Sequence, residues 1–343
     1  MKIFIRLFLF LVIFCALGGG AYYWWWHQLA AGVNQGITSL IEDQRQWGRT
    51  IAFGSVAVTG FPGPLQITLT TPVIVAARGG PAPLTYWRWD GPTLHGHLNM
   101  FSPTQVTIDA SGAHRIDSVV GREPHNLRLI IPDLNFVLAM GTDGLLQTLD
   151  MKASDVKGTA IETGTDFILK AFSSHIENKE PVLFSGNIHD FMRTAELTPG
   201  FGDKLDNATW TTKIFGEFPM VGGATAVEQW RQAGGRIEID HLRAQAADLE
   251  VNLHGPITLD ENLQFNAQFT GWIRGWNILL QNLVATGAMS PSGSALANLG
   301  LRALARPPDE GGAPAVHAPL SVINRRIFLG PVNLGTVPPV RWE

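Results

Sequence analysis

The sequence predicts a mainly β protein: an elongated, curved antiparallel sheet, groove-like or taco-like, with a few short helices and one N-terminal transmembrane helix before it. Three observations carry this. From Ile51 onward apolar residues recur with period two in run after run, the pattern of strands with one buried face. Charged residues make up only 16% of the chain, against about 25% in an ordinary soluble domain, while glycine (37) and proline (21) supply many turns. Finally, Leu7 to Trp26 contains no charged side chain.

The chain opens "MKIFIRLFLFLVIFCALGGG", and Lys2 and Arg6 are the only acidic or basic side chains, histidine aside, before Glu42. A helix of about 20 residues rises roughly 30 Å, the thickness of a hydrocarbon core. Tyr22, Tyr23, Trp24, Trp25 and Trp26 follow, and such rings favour the level where hydrocarbon meets headgroups. Positive charge stays inside. The expected placement is therefore the bacterial inner membrane, crossed once by residues 7–26, with the N-terminus cytoplasmic and the bulk periplasmic. A cleaved signal peptide, with Gly18 and Gly20 before the cut, is the alternative. Lipid attachment at Cys15 is disfavoured by the bulky Phe14 before it.

Residues 1–27 are thus expected to form an anchor, 28–48 an amphipathic helix or linker, and 49–343 a periplasmic β-rich domain, divisible into halves near residue 180. In the linker Leu29, Val33, Ile37, Leu40 and Ile41 fall at helical spacing. "PLQITLTTPVIV" sets Leu65, Ile67, Leu69, Val73 and Val75 on one parity. In "NLRLIIPDLNFVLA" the parity flips across Pro132-Asp133, as a turn between strands requires. Further strands are expected near 105–110, 146–162, 165–173, 182–188 and 207–216. Between Gly235 and Trp272 short alternating runs are joined by tight turns, an antiparallel meander. Trp276, Leu279, Leu280, Leu283 and Val284 mark one face of a helix, and weaker helical signals cover 224–233 and 294–306. The stretch 306–314 reads as a loop, and the chain then forms a hairpin turning at Asn324-Arg325.

"TGFPGPLQITLTTP" (59–72), the meander, the helix after it and "IFLGPVNLGTVPPV" (327–340) resemble an uncharacterised bacterial family of membrane-anchored periplasmic proteins, a domain of unknown function. The layout is more loosely similar to the AsmA-like envelope proteins, in which an inner-membrane helix leads into a long sheet curled into a groove. That resemblance implies lipid handling and brings no catalytic residues, and this chain is far shorter than the long AsmA-like bridges.

Little else suggests chemistry. The net charge of −4 is spread without a basic patch, so no nucleic-acid partner is expected. The single cysteine excludes a disulfide, and Cys15 lies in the apolar opening, leaving no thiol in the remainder. Phosphate-loop, zinc-protease and nucleophile-elbow motifs are absent, so no enzyme, cofactor, catalytic residue or metal site is expected. His95 and His97 share a strand face but lack a third ligand. His189-Asp190 and Asp240-His241 are sequence neighbours and should point to opposite faces. Trp87 and Trp89 read as core or as an aromatic rim.

About sixteen strands at roughly 4.8 Å each make a sheet some 75 Å long, more than a few short helices can cover. The expected function is binding or transfer of lipids or other amphiphiles along an apolar groove, with membrane lipids as partners. Leu249, Val251, Leu253, Phe265 and Phe269 are its candidate lining. The alternative is a structural or assembly protein of the cell envelope, with a closed β core and a protein partner.

Overall fold

The computed structural model describes residues 2–46, 48–77, 84–99, 102–120, 123–141, 143–194, 204–217, 219, 223–285, 287, 289–307, 313–340 and 342. The side chains of residues 2–16, Leu40 and a few strand ends lie outside this description, as does most of the expected loop 306–314.

The chain begins with one long helix, α1 (Lys2–Gln46). Ten strands follow as five bent arms: β1 (Arg49–Ala52) with β2 (Ser55–Thr59), β3 (Leu65–Thr70) with β4 (Val73–Ala77), β5 (Leu84–Asp90) with β6 (Leu94–Asn99), β7 (Ser102–Asp109) with β8 (Gly112–Val120), and β9 (Glu123–Ile131) with β10 (Asp133–Met140). Longer strands come next: β11 (Leu146–Ala160), β12 (Thr165–Glu177), β13 (Val182–Arg193) and β14 (Lys204–Phe215). The helix α2 (Gly223–Gln232) precedes the meander β15 (Arg236–Ala246), β16 (Leu249–Leu259) and β17 (Phe265–Arg274). Two helices, α3 (Trp276–Ala285) and α4 (Pro291–Leu304), lead to the short strands β18 (Ala305–Arg306), β19 (Ala315–Val316), β20 (Leu320–Ile323), β21 (Arg326–Leu329) and β22 (Val332–Thr336).

All 22 strands belong to one sheet. Each arm or strand runs antiparallel beside the next, and short turns, which allow only antiparallel neighbours, join many of them. The number exceeds sixteen because each of the first five arms is bent in two. The bends line up at 53–54, 71–72, 91–93, 110–111 and 132, and reach β11 at Asp155. There β10 pairs with residues 146–154 and β9 with 157–160. Asp155 has φ +50°, and the ladder is interrupted at Asp155 and Lys170 without a change of register, Ser154 standing opposite Ala171 and Val156 opposite Leu169. The same defect recurs in β13 at Asp190, φ +48°.

These kinks and the bends of the arms form a crease across the ribbon, and backbone groups along it remain paired. Gly54 N–H donates to Thr70 O at 2.9 Å, Gly91 N–H to Pro72 O at 2.9 Å and Ala110 N–H to Leu134 O at 2.8 Å. Ser111 Oγ accepts from Leu134 N–H at 3.0 Å. Asp109 accepts from Ser111 N–H at 2.8 Å, and its hydrogen bonds with Ser111 hold its carboxyl below the usual range.

One face of the sheet is largely apolar. The row Leu65, Leu98, Val106, Leu138, Leu149, Ile176, Phe184 crosses seven strands in direct register. No single core covers that face. Four separate clusters sit on it: one under α1, one at the crease, one under α2 and one under α3 and α4. The accessible surface is 20400 Å², whereas a compact monomer of this mass exposes roughly 14,000 Å². The sheet is open.

The N-terminal expectation is corrected. Among the described residues no helix is long and apolar enough to cross a membrane, so the single-pass inner-membrane placement is overturned. The aromatic run is engaged by the chain itself. Trp26 is 4% exposed and packs with Ala30, Leu65 and Leu98. Its indole N–H donates to Gly63 O at 3.1 Å, and the Tyr22 hydroxyl donates to Pro62 O. Phe61 meets the rings of Tyr22, Tyr23, Trp26 and His27. Past Leu17 the helix carries Gln28, Asn34, Gln35, Glu42, Asp43 and Arg45, which lowers its mean hydropathy.

This packing separates neighbouring tryptophans. Trp26→Ala should cost about 3–5 kcal/mol in urea unfolding, whereas Trp24→Ala, at a site 64% exposed, should cost under about 0.5 kcal/mol. Equal costs would mean that Trp26 does not fasten α1 to the sheet.

Candidate functional site

The long apolar face is the one feature large enough to be a site, and its covering is uneven. Near the first strands α1 lies over Leu65 and Leu98. At the crease Ala110, Ile131, Leu134, Ala153 and Val156 converge and bury one another. Near one end of β14–β16, α2 places Val227 and Trp230 against Leu259, with Ile214 and Ile237 beside them. Trp342 closes the same cluster, its indole N–H donating to Leu263 O at 2.9 Å.

Between these covers lies a stretch over which the described residues place no second layer. Leu138, Leu149, Ile176, Phe184, Trp210 and Leu242 are all half-buried, and none belongs to a core cluster. Trp210 lies across Gly186: a Cβ built there would stand 2.5 Å from Trp210 Cζ2. Phe172 and Phe184 flank its ring at 6.3 and 5.8 Å. Glycine at 186 therefore lets the largest side chain lie flat on the sheet.

The predicted lining is divided among different surroundings. Leu249 and Val251 share the apolar face but pack against the cluster under α3 and α4, whose centre is Ile273, Leu280, Leu301, Val316 and Leu329. Leu253, opposite Leu242 and Gly271, is 6% exposed. Phe269 is half-buried beside Leu320. Phe265 is 37% exposed and meets Trp342 edge-on at 6.5 Å. The five share a face without forming one contiguous patch.

The polar candidates are now placed. Among the described residues no group of three or more His, Cys, Asp or Glu could hold a metal, and His95 and His97 are exposed. His189 and Asp190 do meet, Nε2 to Oδ2 at 3.2 Å, because the left-handed backbone at Asp190 (φ +48°) turns its side chain to its neighbour's side. Trp89 stacks on His114 at 5.9 Å and donates its indole N–H to His114 Nδ1 at 3.2 Å. His114 is 5% exposed. Burial pushes its imidazole below the usual value, an effect the Ala110 carbonyl partly offsets.

Sequence alternation also missed Glu250. It reads as a solvent-facing partner of Leu249 and Val251, yet it is 7% exposed. Arg243 donates to it through Nε and Nη2 at 2.9 and 2.6 Å, and Arg274 through Nη1 at 2.6 Å. Arg274 lies directly opposite Glu250 in register, a pairing readable once the turns on either side of β16 are fixed. The cluster borders a cavity of about 440 Å³ that includes Trp276, Asn277 and Pro314. Two arginines on one carboxylate give this corner a charge-assisted clamp.

His114 carries a pH signature. Its folded value lies below its unfolded one, so its stabilising contribution is complete above about pH 6.5 and is lost as pH falls towards the depressed folded value. Unfolding midpoints taken between pH 7.5 and 5 should fall less for His114→Phe than for the parent. The difference should be at most about 1.4 kcal/mol per pH unit. Parallel profiles would show that His114 titrates as in the open chain.

A family model described as an uncharacterized protein conserved in bacteria matches residues 25–338. No curated protein and no solved structure matches the chain.

Proposed function

We propose that the chain, which belongs to the DUF2125 family, binds lipids or other amphiphiles along the uncovered stretch of its apolar sheet face, curved there into a groove. The match bears out the resemblance to a bacterial family of unknown function, and the likeness to AsmA-like proteins is part of this proposal alone. One observation carries the reading: an in-register apolar row crosses seven strands, and from Leu138 to Phe184, with Trp210 and Leu242 beside it, the described residues place no helix or second layer over it. The crease bends the ribbon so that Ile131 and Leu134 on one arm meet Ala153 and Val156 on β11, which brings apolar side chains together on one side.

The energetics suit an acyl chain. Removing roughly 200 Å² of apolar surface from water contributes about 5 kcal/mol, with no demand for a specific polar partner. Ser174 and Gly186 stand between Met151 and Trp210 in one cross-strand row, and with Trp210 lying flat over Gly186 this row stays low on the sheet. A second reading, an assembly role, is favoured by the terminal strands: β2 pairs only with β3 and β22 only with β21 among the described residues. An extended segment of a partner could add to either edge.

Lipid extraction separates the two. The full chain, purified gently, should carry lipid detectable by mass spectrometry at a near-stoichiometric level. Leu242→Asp and Ile176→Asp sit in the uncovered stretch, so both should keep the parental circular dichroism and lose most of that lipid. In a sealed core such a buried charge would unfold the protein. A lipid-free parent, or variants that fold and keep their lipid, would sink the proposal.

A further inference from the structure

Helix α4 buries one flank and bares another. Ala297 and Leu301 face the core beneath it, Leu301 with no exposure at all. Leu296 and Leu299 are 72% and 65% exposed. They are three residues apart and so neighbours on one flank. Ala295 and Ala303 are exposed as well, and the helix ends towards Arg302 and Arg306, both exposed. The helix "PSGSALANLGLRAL" contains no acidic residue.

The charge of its surroundings is as uneven. Between Glu261 and Asp309 the chain contains no aspartate or glutamate. Residues 262–343 carry six arginines against three acids, although the whole chain has more acidic than basic residues. The acidic excess therefore lies in residues 1–261, and the segment containing α4 is net positive.

We propose that the bare flank of α4 is a docking surface for a lipid bilayer bearing anionic headgroups. Leu296 and Leu299 enter the boundary between headgroups and acyl chains, and Arg302 and Arg306 meet lipid phosphates. Two features select a bilayer over a protein. A stable protein interface needs roughly 800 Å² from each partner, far more than two leucines and two alanines present. An interfacial helix needs only a few inserted apolar side chains together with positive charge at headgroup level. This contact is independent of whether the sheet face holds an amphiphile.

The test uses the full chain with Cys15→Ser, which removes its only cysteine, and Ala295→Cys labelled with an environment-sensitive dye. The dye reports on α4 wherever else the chain touches a vesicle. With phosphatidylcholine vesicles containing phosphatidylglycerol, its emission should shift to the blue and be quenched by brominated acyl chains. Phosphatidylcholine alone should have little effect, and high salt should weaken the signal by screening. Arg302→Gln with Arg306→Gln should lower the apparent affinity roughly tenfold or more. Leu296→Asp with Leu299→Asp should abolish the signal without altering circular dichroism. A dye that stays in water, responds equally to both vesicle types, or shifts with protein concentration alone would overturn the proposal, the last in favour of self-association. Lipid extracted from the Leu296→Asp/Leu299→Asp chain reports on the sheet face separately, so the two readings can fail independently.

Discussion

A single antiparallel sheet solves one problem and leaves another. Its ladders satisfy the backbone sideways, strand by strand, whatever lies above or below. They do nothing for the apolar face that the period-two pattern creates, and that face must still leave water. Here the covering is piecemeal. A 45-residue helix covers the first strands, a 10-residue helix and a C-terminal tryptophan cover one end of the meander, and two helices cover the other. These covers come from distant parts of the chain and do not meet, so the core is four islands.

The crease is the other means of covering, and it is made by the strands themselves. The left-handed backbone at Asp155 turns Ala153 and Val156 to the same side, where both are buried. The residues at the interruption carry charge. Asp155 pairs with Lys170 at 2.8 Å, and Asp190 and Asp206 share Lys204 at 3.4 and 2.6 Å. The exposed pair of Asp155 and Lys170 adds little stability. The consequence of the row lies elsewhere, since charges cannot enter the fold of the ribbon and the bend therefore has one permitted direction.

The strands were legible because alternation is a local signal. Leu249, Val251 and Leu253 do share a face, as do Phe265 and Phe269, and the hairpin does turn at Asn324-Arg325, both with φ above +45°. The helices over 276–285 and 291–304 also follow from their spacing. What failed to show was long-range. Nothing local to "AYYWWWH" reveals that Phe61-Pro62-Gly63 will meet it, so five adjacent aromatics read as a bilayer belt. Glu250 looked like an ordinary solvated acid because its partners Arg243 and Arg274 lie on neighbouring strands. Kinks such as Asp190 escaped because one left-handed residue in an otherwise alternating strand leaves the composition unchanged. The candidate site was legible as a face, while which part of that face stays uncovered depends on where the helices land.

That division has a physical consequence. In a protein with one continuous core, the apolar surface that could take a ligand is also the surface that holds the fold, so emptying the site loosens the whole. Here the two roles are separated. Leu65, Leu301, Val316 and Leu329 are fully buried in islands at the two ends, and the strands between are tied to them by continuous ladders. Leu138, Leu149, Ile176 and Phe184 can therefore be covered or bared with little change in the contacts that keep the ribbon folded. Half-burial is the compromise that permits this, since neighbouring side chains on the sheet shield each residue enough to tolerate water and leave enough surface for covering to be favourable. A face built this way can be filled and emptied without a folding transition, which the proposed binding of amphiphiles requires.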